Sequence, residues 1–544
     1  MNTNLNRKLV DSAPLIIYLL ISAIMLLICF TPAPWWDGAY YYDDFLDKYN
    51  QLFIEHRFDV EFLISGLKLG THAGHAVYLV ACLGQLIAGW KGVYSIQSVL
   101  ILLSDYCLFR LVEKSFPKLN KCLLALACSA YALSPYISGL GYEFGPYIYC
   151  TVFVVFALYF YSVKKWYAVT SIFLLAVYLS LETGIILVGV YIITDLVMQY
   201  ASLKKADSSQ SFWERVRIVL PLRKIILLLI PELFLLIPGI WYYPGKSSTT
   251  GSTEINNFAF NPYNIVMHFR QTFVSNLFWM YWILLLFAII LVYRSGYRLK
   301  INKSIFVPVL IAYAFYTAFI CFLFVSTPTP RYCQLVTILY PFIAAVSLYM
   351  LSKNNTVVTC FIASLMTVCL VVQNFVSIDI TTFMLYKRDL GRSTVYSPSM
   401  NEIALDIWLV YPNDVYAYNQ QAAYGCDLLN DIFSYYEIDD NTVVLYSYFI
   451  YYDVLCEGRL GWNPQLKTVM IEQDDDRRIV NYQSISSTDN IQSSKCLLIL
   501  TESMKYDTEP ELYDFILSNQ SRLVDQREFE NFYGTYTVFV YDFD

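Results

Sequence analysis

Charge is scarce in this 544-residue chain. Only 15% of its residues are Asp, Glu, Lys or Arg, against 57% hydrophobic and 17% aromatic, and that shortage excludes an ordinary water-soluble enzyme. A concentrated basic face is missing as well, and with a net charge of -7 the chain lacks the cations that a nucleic-acid partner demands. The four histidines, His56, His72, His75 and His268, have no ligand spacing, and the thirteen cysteines contain no CxxC pair. Zinc fingers and dithiol redox centres are excluded with them. Most cysteines fall inside apolar runs and read as small core residues. Cys426, Cys456 and Cys496 alone fall in polar sequence, which leaves room for one disulfide if that region faces an oxidising compartment. Internal repeats and low-complexity linkers are absent too.

What the chain has in quantity is long hydrophobic runs, with a mean hydropathy of +0.46. Arg7 and Lys8 precede a first run, Ala13 to Phe30, followed by Pro32, Pro34 and two tryptophans, which is poor cleavage-site material and reads as an uncleaved first helix. Further spans are Val93 to Val112, Lys121 to Ser138, Pro146 to Val163, Trp166 to Leu181, Gly184 to Tyr200, Lys224 to Tyr242, Phe273 to Tyr293, Ser304 to Ser326, Tyr332 to Leu351 and Thr356 to Ser377. Together they make about eleven transmembrane helices, each near the ~20 residues that a bilayer requires. The sequence therefore predicts a polytopic α-helical membrane domain over 1–377.

Loop charges set its orientation. Seventeen basic residues fall in alternate loops, around Arg110 to Lys121, Lys164 and Lys165, Lys204 to Lys224, Arg294 to Lys303 and Lys353, whereas the intervening loops hold only Lys246, Arg270 and Arg331. The basic side is cytoplasmic. For Arg7 and Lys8 to share it, the short run His75 to Trp90, cut by Gly84 and Gly89, must not cross. It reads instead as a re-entrant or interfacial helix within a first external loop spanning 31–92. Phe45 to His56 in the same loop, with Phe45, Tyr49, Leu52 and Phe53 at helical spacing, reads as a second surface-lying helix.

After Ser377 the sequence turns polar. Strands are expected at Thr442 to Ser447, Thr468 to Ile471, Cys496 to Thr501 and Thr535 to Tyr541, and helices at Ala417 to Tyr436 and Pro510 to Ser518. Residues 378–544 are thus expected to form a soluble α/β domain, and an odd number of spans makes it extracytoplasmic.

The same loop count brings the chemically capable residues to one side. The stretch PWWDGAYYYDDFLDKYNQLFIEHRFD, Pro34 to Asp59, crowds Asp37, Asp43, Asp44 and Asp47 among aromatics at a membrane surface. Adjacent carboxylates there raise one another's pKa and lie unfavourably near hydrocarbon, which points to a working role over a solvated loop. Glu143 lies in the short loop SGLGYEFGP, Glu182 in the LETG step, Lys246, His268 and Arg270 flank the fourth external loop, and Arg331 and Tyr332 open the tenth span in TPTPRYCQLVTILYPF. Acids and cations facing one compartment suit transfer from an anionic lipid-linked donor to a hydroxyl acceptor. Singly, each is an ordinary loop charge, and Arg331 alone is an interfacial anchor. Asp105 and Glu232 lie deep in spans, where an ionisable group marks either a packed, partnered carboxyl or a conduction path.

In order and topology this pattern resembles the GT-C superfamily of membrane glycosyltransferases, which use polyprenyl-phosphate sugars. The resemblance rests on WWDGAYYYDDFLDKY after the first helix, Glu143 in GYEFGP, and RYCQLVTILYP opening a late helix. The YDD step and the HRF at His56 to Phe58 are loosely similar to O-antigen-type prophage glucosyltransferases. It implies that Asp44 or Asp43 is the general base, with Asp37 in reserve because Gly38 replaces a second acid. It further implies that Arg331 neutralises the leaving polyprenyl phosphate, helped by Lys246 or Arg270, and that Glu143 holds the acceptor or a divalent ion. Metal use, Mg2+ or Mn2+, is left open by the resemblance. The expected partners are a polyprenyl-phosphate-linked sugar, a glycan, lipid or polymer acceptor, and membrane lipid. The competing classes are an O-antigen-type polymerase or ligase, which leans on external arginines that are few here, and a transporter or flippase, which would use Asp105 and Glu232 but lacks paired halves.

Overall fold

The computed structural model describes residues 2–28, 42, 45–46, 49–55, 75–139, 144–181, 183–206, 209–229, 232–233, 262–274, 277–296, 299–322, 334–374, 431–437, 442–446, 495–501, 516–530 and 535–543. Two compact units divide the chain, one made of Met1–Cys29, Lys48–Leu385 and Leu409–Asn413, the other of Phe30–Asp47, Tyr386–Trp408 and Asp414–Asp544.

The first unit is a helical bundle. Its helices are α1 (Asn2–Ile28), α2 (His75–Ser115), α3 (Lys121–Ala132), α4 (Pro146–Tyr159), α5 (Tyr167–Tyr178), α6 (Thr183–Ala206), α7 (Phe212–Val219), α8 (Leu222–Leu229), α9 (Pro262–Phe273), α10 (Phe278–Ser295), α11 (Lys303–Phe322), α12 (Tyr340–Ser352) and α13 (Thr356–Gln373). Among the described residues seven helices are long and apolar enough to cross a membrane, and Ser12–Ile28, Lys121–Ala132 and Tyr167–Tyr178 are shorter apolar helices. The expected span Lys224 to Tyr242 is described only as α8 and 232–233.

Burial is arranged as a bilayer dictates. Every residue of α4 is buried, and so is nearly all of α12, which places these two at the centre. The outer helices turn apolar side chains outward: Ile17, Leu20, Ile24 and Leu27 on α1, and Val357, Phe361, Leu365 and Val368 on α13, are all more than half exposed. An apolar exterior of that extent is stable in hydrocarbon and not in water. The chain is a polytopic α-helical membrane protein.

Helix α2 is two helices in one. Ala88 and Gly89 leave helical geometry, and Gly89 takes a φ of +57, the left-handed region where glycine avoids the Cβ penalty. The chain then folds back so closely that a Cβ on Gly84 would lie 2.4 Å from the backbone of Val93, and one on Gly92 2.0 Å from the carbonyl of Gly84. The portion before the bend, thirteen residues from His75 to Ile87, is about 20 Å long at 1.5 Å per residue, short of the ~30 Å core. Leu79, Leu83, Leu86 and Ile87 form an exposed apolar stripe on it, in keeping with a re-entrant or interfacial helix. In the other expected surface helix, the described backbone includes one π-helical turn, Asn50–Ile54, with Tyr49 and Phe53 rings 5.0 Å apart.

Two spans begin or end differently from a plain α-helix. Lys121 to Ser138 stops its α-helix at Ala132 and continues as a π-helical turn, Pro135–Gly139, and Tyr332 to Leu351 starts as a 3-10 helix, Gln334–Leu339. Pro135 removes one amide donor, and the polar residues around it make up the difference.

In the second unit a four-stranded sheet of β1 (Thr442–Tyr446), β2 (Lys495–Thr501), β3 (Leu523–Glu530) and β4 (Thr535–Asp542) has the order β1-β2-β4-β3. The β1-β2 pair is parallel, and β4 runs antiparallel to both β2 and β3. Cys496 to Ile499 and Val538 to Tyr541 are buried. Three strands fall where alternation predicts them, while β3, LVDQREFE, does not announce itself because charges dominate it, as they do on many edge strands. The expected strand Thr468 to Ile471 lies outside the described residues. Cys496 is a buried free thiol, and Cys426 and Cys456 lie outside the described residues.

Candidate functional site

Most of the residues singled out by sequence, Asp37, Asp43, Asp44, Glu143, Glu182, Lys246, Arg331 and Tyr332, lie outside the described residues. Their described neighbours do not. Near the end of α1, before the acidic stretch, the Leu26 carbonyl accepts a hydrogen bond from Tyr94 Oη at 2.7 Å. Trp90, one turn earlier, meets Phe144 edge-on with ring centroids 6.2 Å apart, and Phe144 meets Tyr149 at 6.3 Å. Phe144 is the residue directly after Glu143. Cys150 Sγ donates to the Leu181 carbonyl at 3.6 Å, and a Cβ on Gly184 would fall 2.5 Å from that sulfur; Leu181 and Thr183 flank Glu182. Finally the Ala76 amide donates to the Leu179 carbonyl at 3.5 Å.

A second chain of contacts continues on the same end. Gln334, three residues after Arg331, is 1% exposed and donates from Nε2 to the Tyr136 carbonyl at 2.6 Å. Ser138 Oγ donates to Asn374 Oδ1 at 2.5 Å, and Asn374 Nδ2 donates to the carbonyls of Leu133 and Leu370 at 3.0 and 2.8 Å. Tyr136 packs on Phe278 at 5.5 Å, Phe278 stacks on Tyr340 at 3.9 Å, and Tyr340 Oη donates to the Thr272 carbonyl. Two of these bonds satisfy the carbonyl of Tyr136 within the π-helical turn and that of Leu133 just before it.

Of the expected site residues, His268 and Arg270 are described. Both lie on α9 and both are buried, at 0% and 5% exposure. Burying a guanidinium is costly unless anions or acceptors compensate it. Thr272, which anchors Tyr340, follows it by two residues. The tyrosine of the LYP step thus ties α9 to the segment that Arg331 and Tyr332 introduce.

Among the described residues no group of three or more His, Cys, Asp or Glu converges to hold a metal ion. The intramembrane acids have hydroxyl partners and no cation among the described residues: Asp105 Oδ2 accepts from Ser22 Oγ at 2.5 Å, and Glu232 Oε1 from Ser171 Oγ at 3.2 Å. Both behave as packed carboxyls that join helices, α1 to α2 for Asp105.

One polar cluster was not foreseen. Asp195 Oδ2, on α6, accepts from Tyr161 Oη at 2.9 Å and Gln199 Nε2 at 2.6 Å, while Lys224 Nζ donates to Tyr161 Oη at 3.3 Å and lies 5.0 Å from the Tyr167 ring. Lys224 reads in the sequence as a loop charge, yet it is 4% exposed. The clue was Asp195, a lone acid within an apolar run.

In this chain one set of helix ends is tied together by neutral hydrogen bonds and aromatic contacts. Among solved structures the chain is similar to ArnT from Cupriavidus metallidurans. The form bound to undecaprenyl phosphate is 12% identical, with a TM-score of 0.48 over 97% of this chain and 98% of that one. The apo form is also 12% identical, with a TM-score of 0.47 over 96% and 97%. No family model and no curated protein matches the chain.

Proposed function

We propose that this chain is a membrane glycosyltransferase of GT-C type, moving a sugar from a polyprenyl-phosphate donor to a hydroxyl on a glycan, lipid or polymer acceptor at the extracytoplasmic side. The observation that carries the reading is the contact chain through Leu26, Tyr94, Trp90, Phe144, Cys150 and Leu181, with Gln334, Tyr136 and Tyr340 on the same helix ends. The sequence neighbours of Glu143, Glu182 and Arg331 fall on these ends, and the buried Arg270 is on α9 beside Thr272. Glu143, Glu182 and Arg331, read from the sequence as facing one compartment, therefore follow or precede segments that meet in the bundle. The N-terminus is cytoplasmic and the C-terminal domain expected over 378–544 is extracytoplasmic in this reading.

The chemistry follows from charge. The acceptor oxygen attacks the anomeric carbon as the carbon to phosphate-oxygen bond breaks, and the configuration inverts. Asp44, or Asp43, takes the hydroxyl proton, so the nucleophile is strengthened as the bond forms. The departing polyprenyl phosphate gains negative charge, which Arg331 neutralises with Tyr332 beside it, and Lys246, His268 or Arg270 assist. Glu143 orients the acceptor, and Asp37 and Glu182 stand in reserve. A divalent ion, Mg2+ or Mn2+, would be held by the acids of the first two external loops and would supply further charge neutralisation.

The test is sugar transfer from a radiolabelled polyprenyl-phosphate hexose by the reconstituted full chain. Asp44→Asn is expected to lower transfer about 10²- to 10⁴-fold while membrane insertion and the solubilised elution profile stay unchanged. Full activity in each of Asp37→Asn, Asp43→Asn and Asp44→Asn would overturn the reading. Loss on Asp105→Asn and Glu232→Gln alone would favour a transporter.

A further inference from the structure

At the other end of the bundle lies a groove of about 870 Å³, within the roughly 300–1,000 Å³ of small-molecule sites. Its basic lining is Arg110, Lys114 and Lys300, and its apolar wall is Pro117, Val163 and Ile301. Three separate connections build it: the last turn of α2, the π-helical turn Phe160–Lys164 after α4, and the segment leading into α11. They are fixed to one another. The Asn302 amide donates to the Ser115 carbonyl at 2.8 Å, Asn302 Oδ1 accepts from Ser304 N and Oγ at 3.2 and 2.7 Å, and the rings of Phe116 and Phe306 meet edge-on at 5.4 Å.

The charges in the groove are unequal. Its acid, Glu113, already has both oxygens engaged, Oε2 with Arg110 Nη1 at 2.6 Å and Oε1 with Lys121 Nζ at 3.6 Å. Lys114 and Lys300 are exposed, and neither has a carboxylate partner among the described residues. Two uncompensated ammonium groups beside an oriented guanidinium select an anion with several acceptor oxygens. Depth in the membrane selects its source. Trp166, three residues past Val163, is 55% exposed with Lys164 Nζ 5.8 Å from its ring centre, and such Trp-Lys pairs mark the headgroup level. An apolar wall at that level accepts glycerol and acyl carbons, which inorganic phosphate does not carry.

We propose that this groove is a binding site for the phosphate headgroup of an anionic phospholipid in the adjoining leaflet, held between Arg110, Lys114 and Lys300. The site is distinct from the proposed transfer site, and it stands or falls without it. Basic grooves between helix ends on the positively charged side suit such lipids, with each basic residue contributing about a fivefold gain in affinity.

The experiment is native mass spectrometry of the full chain in detergent with added phosphatidylglycerol or phosphatidylcholine. Lys118 supplies the control, because it is exposed, in the same loop and equally charged, but outside the groove. Wild-type protein retains phosphatidylglycerol over phosphatidylcholine, Lys114→Gln with Lys300→Gln lowers that retention about 25-fold, and Lys118→Gln leaves it within about twofold. The proposal is overturned if Lys118→Gln weakens retention as much as the groove lysines, which would mean diffuse surface charge. Equal retention of phosphatidylcholine, or displacement of the lipid by millimolar inorganic phosphate, overturns it as well.

Discussion

The two ends of the membrane bundle are held together by different physics. On the end that carries Leu26, Tyr136, Phe144, Gln334 and Asn374, the ties are neutral: amides and hydroxyls bonded to carbonyls, and stacked aromatic rings. On the opposite end neutral ties such as Asn302 to Ser115 and Phe116 to Phe306 are joined by ionic and cation-π ones: Arg110 and Lys121 on Glu113, Lys224 with Tyr161 and Tyr167, and Arg215 5.5 Å from the Tyr200 ring. A neutral scaffold leaves the field at its end to a few placed charges, so each of those charges has a large effect. A scaffold rich in cations spreads the effect, so any one of them matters little.

That contrast sets the order of expected effects. Asp44→Asn should reduce turnover about 10²- to 10⁴-fold, the usual contribution of a positioned base, whereas Lys118→Gln on the other end should leave turnover unchanged; equal effects would erase the distinction. Arg331→Ala should cost about 10²-fold in kcat. Arg270→Ala should cost less and be largely rescued by Arg270→Lys, which keeps the charge and loses the fork. Asn374→Ala removes the acceptor for Ser138 and two donated bonds, and should destabilise the bundle by about 1–2 kcal/mol in a detergent unfolding titration. A loss that small in stability alongside a larger loss in transfer would show that the neutral scaffold also positions the chemistry.

Two thiols probe the molecule most gently. Cys122 is exposed at the start of α3, so an impermeant maleimide should label it in inverted vesicles and not in intact cells, judged against Cys122→Ser. The reverse pattern would turn the whole orientation over. In the second unit, burial pushes the Cys496 thiol from 9.0 up to about 12. Its thiol should therefore resist alkylation at pH 8 until the sheet unfolds. Because the folded pKa is the raised one, the stabilisation tied to the buried neutral thiol is complete below pH 9 and is lost between pH 9 and about 12.

The spans were legible in the sequence because each had to supply about a bilayer's length of apolar residues, and the bend in α2 was announced by Gly84 and Gly89 within a run too short to cross. The 3-10 start at Gln334 was not legible, since Gln334–Leu339 reads as an ordinary apolar helix opening and its long-range partner, the Tyr136 carbonyl, lies almost two hundred residues earlier. Lys224 was misplaced for a related reason. A lysine near a run of basic residues looks solvated until a distant Asp195 and two tyrosines enclose it. For the candidate site, sequence supplied the residue types and an expected side of the membrane, and the fold supplied the meeting of segments that neighbour Glu143, Glu182 and Arg331 in the chain. His268 and Arg270 were foreseen as loop-flanking groups, but their burial on α9 depends on packing that no local pattern encodes.

The bend in α2 also bears on how this protein tolerates sequence change. Leu79, Leu83, Leu86 and Ile87 point away from the bundle and should exchange freely among Leu, Ile, Val, Met and Phe, because lipid asks only for apolar surface. Gly84 and Gly92 sit amid that permissive stretch with backbone where any side chain would have to go, so even alanine is excluded. Inheritance at this bend should then look like two fixed points in a drifting helix, and a saturation library screened for membrane insertion should recover glycine alone at 84 and 92.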